Sequence, residues 1–267
     1  MTTTPSAGRP RFAPGTFTPA PGSGRRGRML LTHARVETSL TLRHGEQILL
    51  TLLIPLALLV GLSLLDILPT EGSLARVDWI TPRILALAVM SSAFTGQAIA
   101  LGFDRRYGVL KRLSATALPR WLLVAGRLAA ALVVVALQVV VLGAVAALLG
   151  WAPSLSGAAY GVVLLVAGTL SFGALGVLLG GSLRPELVLA LANLVWFVLL
   201  LAGGILLAPA TLPGAAGDIV ALLPSGALAE GLRAALTEGT VSWRPLAVLA
   251  AWGAVAAALA TRTTRLT

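Results

Sequence analysis

The side chains that carry most enzyme chemistry are scarce in this sequence. The chain contains no cysteine, and its two histidines, His33 and His44, both precede the first long apolar stretch. Thiolate metal sites and disulfides are therefore excluded, as is a histidine-based centre in the apolar body. Lys111 is the only lysine, and it follows Leu110, so the Gly-Lys-Ser/Thr turn of a phosphate-binding loop is missing. We expect no catalytic residue, no metal site and no cofactor bound by this chain.

The composition indicates whether the protein lies in water or in a membrane. Of the 267 residues, 57% are hydrophobic and 11% are charged, whereas a soluble domain has roughly 25% charged residues. The mean hydropathy is +0.92. A water-soluble domain of this composition would expose far more apolar surface than solubility tolerates. The composition therefore predicts an integral membrane protein.

Six segments lack Asp, Glu, Lys, Arg and His. They contain 17 to 24 residues each and cover 47–65, 84–103, 128–149, 158–181, 187–207 and 245–261. A helix of roughly 20 residues crosses the bilayer core, and backbone groups in lipid must pair within the segment. We predict an all-α protein with six transmembrane helices, in which residues 46–261 form the transmembrane domain.

The chain ends are more polar. Residues 1–28 are rich in proline and glycine, which predicts a disordered tail, and residues 262–267 form a second short tail. Residues 29–45 have a weak helical pattern, which favours an amphipathic helix in the membrane interface over an ordinary polar lead-in. Its apolar stripe contains Met29, Val36 and Leu40, and Arg28, Arg35 and Arg43 lie to one side.

The distribution of charge predicts the orientation. With both termini in the cytoplasm, 16 of the 20 basic residues lie on the inner side, and the outer segments keep only Arg76, Arg83, Arg233 and Arg244. Cytoplasmic loops carry such an excess of basic residues. The net charge of +10 does not indicate a nucleic-acid partner, because no polar domain presents a basic face. We expect a multi-pass protein of the cytoplasmic (inner) membrane.

The segment 208–243 is apolar but interrupted by prolines and glycines. Neither half reaches spanning length. We predict two short re-entrant helices, over about 215–222 and 226–237, which enter the outer leaflet; a plain outer loop is the alternative.

A stripe of small residues lies on one face of the fourth predicted span, at spacings of four, three and four, and predicts a helix–helix contact. Its members are Thr169, Gly173, Gly176 and Gly180.

The segment 104–120 joins the second and third predicted spans. A short helix from about Arg105 to Ala115 would have an apolar arc of Val109, Leu110 and Leu113, and a basic arc of Arg105, Lys111 and Arg112. Such a helix can insert its apolar stripe into a groove of a cytoplasmic partner while its charges face lipid head groups or acidic residues. The alternative is that the loop is basic for topology alone.

This segment resembles the inner loop of ATP-binding-cassette (ABC) type 2 exporter permeases. The resemblance is carried by Asp104, Arg105, Gly108, Leu110, Leu113 and Pro119. Those permeases also have about this length, an N-terminal interfacial helix, six spans, both ends inside, and a broken outer segment like Leu223-Pro224 through Leu232-Arg233. The resemblance covers roughly 29–261. One departure is Arg106, where the family usually has a second acid.

The resemblance implies a permease subunit that pairs with a second permease, identical or different, and with separate ATPase subunits that bind ATP and Mg²⁺. The ATPase would dock on Asp104, Arg105, Arg106, Gly108, Val109, Leu110, Lys111, Arg112, Leu113 and Pro119. Two alternatives stay open, namely a membrane assembly protein without transport and an ion-coupled carrier. The carrier is disfavoured because none of the six apolar segments contains a carboxylate.

The substrate class follows from the uncharged spans. They offer no counter-ion, so an apolar or amphipathic molecule such as a drug, antibiotic or lipid is the expected cargo, as in efflux and antibiotic self-protection. The candidate lining residues are Ser91, Thr95, Gln97, Gln138, Asn193 and Trp196. Each of the polar side chains among them has a packing role between helices as its alternative.

Overall fold

The structure is a computed structural model that describes residues 25–43, 45–65, 75–115, 119–205 and 215–263. Most of the predicted disordered tail, residue 44 of the predicted interfacial helix, residues 206–207 of the predicted fifth span and residues 264–267 lie outside the described residues. Within the described ranges all regular structure is helical, as predicted.

Eleven α-helices and one π-helical segment are described in these ranges. In chain order they are α1 (Arg26–Arg43), α2 (Gly45–Leu64), α3 (Arg76–Val89), the π segment (Met90–Gly96), α4 (Gln97–Arg106), α5 (Val109–Ser114), α6 (Arg120–Leu148), α7 (Leu155–Ser182), α8 (Pro185–Ala202), α9 (Ala216–Leu222), α10 (Pro224–Glu238) and α11 (Trp243–Thr263).

Four helices of the described chain are long and apolar enough to cross a membrane. They are Arg76–Arg106, Trp121–Leu148, Leu155–Ser182 and Trp243–Thr263. The α9–α10 pair, bent by 90° at Leu223, would make a fifth, and Thr51–Leu64 and Pro185–Leu201 are shorter apolar helices. An integral membrane helical protein is therefore supported, while six spans and the re-entrant position of α9–α10 stay predictions.

The second predicted span, 84–103, belongs to a longer helix that continues from α3 through the π segment into α4. This helix begins at Arg76, and it therefore contains Arg83, which the sequence analysis assigned to an outer segment. The difference arises because charged residues and Pro82 interrupt the apolar pattern of the first two turns without ending the helix. A π-helical turn inside an α-helix is rare and frequently occurs at functional sites.

Helix α7 lies at the centre of the bundle. It packs against α11, α10, α4, the π segment and α6, and Leu164 and Phe172 on it are fully buried. Its N-terminal half packs against α10, where Leu228 and Leu232 are fully buried as well. Helix α1 packs on α6 instead, with Val36 and Leu40 half exposed.

Candidate functional site

The connection between α4 and α6 begins with a sharp turn. Helix α4 ends at Arg106, and Gly108 then adopts a left-handed backbone conformation, with φ +69°, before α5 begins. Residues other than glycine rarely adopt this conformation. The sequence analysis predicted one helix from about Arg105 to Ala115; the structure has two, because Gly108 redirects the chain between them.

The apolar side of α5 faces the protein itself. Leu110 is 2% exposed and packs in a cluster with Leu101, Val124, Val177 and Ala260, and Leu113 packs against the same cluster. The prediction that this stripe inserts into a partner was therefore wrong in its orientation. Helical periodicity identifies residues that share a face, but it does not tell which surface that face contacts.

The opposite side of α5 is exposed. Lys111 and Arg112 are exposed, as are Arg106 and Tyr107, and the Arg112 Nη2 donates a hydrogen bond to the Tyr107 carbonyl at 3.2 Å. We call Arg106, Tyr107, Lys111 and Arg112 the α5 surface. It combines three cations with one aromatic ring, which suits an acidic partner surface.

Arg105 is turned away from the α5 surface. Its Nη1 donates hydrogen bonds to the carbonyls of Gly180, at 3.2 Å, and Leu183. These carbonyls belong to the last turn of α7 and the residue that follows it, where four backbone acceptors lack partners within the helix and a cation is favoured. Arg105 thus joins the C-terminal end of α4 to the C-terminal end of α7 rather than belonging to an exposed basic arc.

An ion-pair network connects the same region to α1. The Arg127 Nη2 contacts the Oδ2 of Asp104 and lies 3.9 Å from the Glu37 Oε1. Arg127 is buried at 4% exposure, and the Glu37 carboxylate is 3.8 Å from the His33 Nε2. The sequence analysis counted Arg127 only as a basic residue of the inner side. The signal that could have identified the pair was Asp104, the single acid in a strongly basic segment.

Two remaining docking candidates have local structural roles. Val109 is the first residue of α5 and is half-buried. Pro119 lies directly before α6 in an extended conformation, with φ −64° and ψ 147°, and its carbonyl accepts from the Leu122 and Leu123 amides at 3.0 and 3.4 Å. Proline has a fixed φ and suits this entry position.

A cavity of about 500 Å³ lies between α2, α3, the π segment and α8. Four of the six candidate lining residues are in its wall: Ser91, Thr95, Asn193 and Trp196. The π segment carries the first two and α8 the others. The wall is otherwise largely apolar, which is typical of small-molecule sites.

The cavity residues also connect two helices. The Trp196 Nε1 donates to the Ser91 Oγ at 3.0 Å, and the Asn193 Nδ2 donates to the Leu189 carbonyl one turn earlier, also at 3.0 Å. Since Ser91 belongs to the π segment, this bond fixes the π segment to α8 across the cavity.

The other two candidates lie elsewhere. Gln138 on α6 is fully buried; its Oε1 accepts from the Ser92 Oγ at 2.8 Å and its Nε2 donates to the Thr51 carbonyl at 3.2 Å. Gln97 is buried against Gly176 of α7. These hydrogen bonds give Gln138 a bridging position between α6, the π segment and α2; Gln138 itself does not line the cavity, although its partner Thr51 does.

The family comparison covers the elements described above. The sequence matches the ABC-2 type transporter family over residues 28–237, which is most of the chain. The chain belongs to the ABC-2 type transporter family. No relative among the curated proteins matches it. Membership in this family identifies the chain as a membrane transport component and implies partnership with an ABC ATPase.

Both features of this ABC-2 permease, the α5 surface and the cavity, lie within the matched region. The small-residue stripe on α7 packs closely against the long helix at two positions. A Cβ at Gly176 would approach the Phe94 carbonyl oxygen to 2.4 Å, and one at Gly180 would approach the Ala98 oxygen to 2.5 Å. The remaining two residues of the stripe face other neighbours: Gly173 lies against Leu128 of α6, and the Thr169 hydroxyl donates to Leu165 within α7.

Proposed function

We propose that this chain is the permease subunit of an ABC exporter for an apolar or amphipathic substrate, a drug, an antibiotic or a lipid. A separate ATPase, which binds ATP and Mg²⁺, docks on the inner segment 104–120 and drives the transport. The observation that supports this most strongly is the position of α5: Leu110 fixes it to the helical bundle, while Lys111 and Arg112 remain exposed.

The contacts of the segment 104–120 would transmit motion from the ATPase into the helical bundle. A displacement of α5 would be transmitted through Leu110 to α4, α6, α7 and α11, which supply the cluster around it. Asp104 and Arg127 would couple the same displacement to α6, and Glu37 would extend it to α1. Packed helices and buried ion pairs transmit such shifts because they favour discrete arrangements over continuous deformation.

The proposed topology has six spans. Helices α2 and α8 are the first and fifth spans, and the long helix from Arg76 to Arg106, α6, α7 and α11 are the others. Both termini lie in the cytoplasm because this orientation puts 16 of 20 basic residues inside. Helices α9 and α10 enter the outer leaflet as a re-entrant pair.

The proposed substrate path runs beside the cavity, at the interface with a second permease and in contact with membrane lipid. Ser91, Thr95, Asn193 and Trp196 are the residues that we assign to substrate contact, because all four line the same cavity. Gln97 and Gln138 contact neighbouring helices instead, so we assign them no substrate contact.

The docking proposal is tested by co-purification of the cognate ATPase. Charge reversal of Lys111 and Arg112 to glutamate should reduce the recovered ATPase about tenfold or more, because like charges at an interface are strongly unfavourable. Arg262→Glu is the matched control, since Arg262 is also exposed and lies at the inner end of α11 in the proposed topology. Undiminished ATPase recovery with the double variant, with normal membrane insertion, would contradict docking at α5.

A further inference from the structure

One side of α1 is attached to the helical bundle. The His33 ring lies against Gly126 of α6, and the Glu37 Oε1 lies 3.9 Å from the Nη2 of Arg127, also on α6. His33 and Glu37 are one turn apart, so they share a side of the helix. These contacts determine which side of α1 faces α6.

The other side of α1 is basic. Arg28, Arg35 and Arg43 recur at intervals of seven and eight residues, about two turns, and Arg35 lies about 200° around the helix from His33 and Glu37. All three arginines are exposed. Within the described ranges their side chains have no hydrogen bond or ion pair. We call Arg28, Arg35 and Arg43 the basic face of α1.

Hydroxyl groups lie between two of these arginines. Thr38 and Ser39 occupy the turn between Arg35 and Arg43, and all four line one surface groove together with Leu42. Guanidinium groups form a fork that matches phosphate oxygens, and hydroxyl groups can donate to the same oxygens. The described residues of the groove include no acid. The groove therefore suits a phosphate group.

The position of α1 favours a lipid phosphate over a soluble one. Helix α1 ends at Arg43, and α2, the first proposed span, begins at Gly45, so this end of the basic face lies next to the membrane surface. At 1.5 Å per residue the basic face extends over about 22 Å, which is long enough to contact several head groups. Basic clusters next to a span or on an amphipathic helix attract anionic lipids.

We propose that the basic face of α1 binds anionic phospholipids, whose phosphates pair with Arg35 and Arg43 in the groove. The proposal goes beyond an interfacial position of α1, because it names a ligand and the residues that bind it. It rests on the proposed topology, which places α1 beside the inner leaflet, but not on the transported substrate.

The proposal is tested by lipid selectivity around α1 in the full chain, reconstituted in phosphatidylcholine vesicles without ATPase. Leu31→Cys provides a single site for a bimane fluorophore, because the chain has no cysteine and Leu31 is 72% exposed one turn before Arg35. The quenchers are phosphatidylglycerol and phosphatidylcholine, each with the same nitroxide on the acyl chain near the head group. We expect an about fivefold or higher local preference for phosphatidylglycerol.

Salt and variants locate this preference. It should largely disappear in about 1 M salt, where the Debye length is about 3 Å, and in the double variant Arg35→Gln with Arg43→Gln. The matched control is Arg26→Gln with Arg262→Gln, which removes the same charge outside the groove and should keep the preference. Equal quenching by both lipids in the chain with native arginines would overturn the proposal. A preference that persists in the double variant would overturn the assignment to the groove.

The other candidate occupant of the basic face is an acidic surface of the ATPase. Loss of the cognate ATPase from the Arg35→Gln, Arg43→Gln variant, together with equal quenching by the two lipids, would assign the basic face to that protein and overturn the lipid site. Lipid selectivity is measured without the ATPase, so its failure leaves docking at α5 intact, and failure of docking at α5 leaves the lipid preference intact.

Discussion

The guanidinium of Arg127 on α6 is ion-paired with the carboxylate of Asp104, near the C-terminal end of α4. Arg127 is 4% exposed, so the pair joins a buried cation to a partly exposed acid. Glu37 of α1 lies 3.9 Å from the same guanidinium. One side chain therefore connects α1, α4 and α6 at the point where the segment 104–120 begins.

The Arg127–Asp104 pair should be energetically coupled. Arg127→Gln and Asp104→Asn should each destabilise the permease, and the double variant should lose less than the sum, with an interaction energy of about 0.5–3 kcal/mol. The measurement is a double-mutant cycle of unfolding in mixed micelles. Arg106→Gln is the control, since the exposed Arg106 should contribute less than about 0.5 kcal/mol. Additive effects would show that the two residues act independently.

The contact between α7 and the long helix should not tolerate a methyl group. Gly176→Ala would place a Cβ 2.4 Å from the Phe94 carbonyl oxygen, and such overpacking costs about 1–3 kcal/mol. We therefore expect a lower midpoint of unfolding. In Gly143→Ala the nearest atom would be 3.9 Å away, so this control should be neutral or stabilising. Equal stability of both variants would contradict the close approach of the two helices.

Gln138 should contribute to stability through its buried hydrogen bonds. Gln138→Leu removes the acceptor of the buried Ser92 hydroxyl, which should cost about 1–3 kcal/mol of unfolding free energy. The double variant with Ser92→Ala should recover part of this loss, because the unsatisfied hydroxyl is then gone. Unchanged stability of Gln138→Leu would contradict the bridging position of Gln138.

The sequence predicted the helices better than it predicted their bounds and contacts. Long uncharged runs predicted the helical membrane character, since lipid leaves the backbone few other choices. The start of the long helix at Arg76 was missed, because Asp78, Pro82 and Arg83 interrupt the apolar run while the helix continues.

The direction in which the side chains of the site point was harder to predict from the sequence. Periodicity grouped Leu110 with Leu113 correctly, but only tertiary packing shows that they face the bundle. The ion pair between Asp104 and Arg127 spans 23 positions, and no local pattern specifies such a partner. The cavity likewise depends on how α8 packs near the π segment, which makes Ser91 and Trp196 neighbours although they are 105 positions apart.

We propose that an ATPase covers α5 from the cytoplasmic side. Because the chain contains no cysteine, an Arg112→Cys variant introduces a single labelling site for a membrane-impermeant maleimide. We predict labelling in inside-out vesicles but not in right-side-out vesicles, and slower labelling when the cognate ATPase is bound; Arg262→Cys should label from the same side without this protection. Labelling from the outer side, or equal labelling rates at position 112 with and without bound ATPase, would contradict the account.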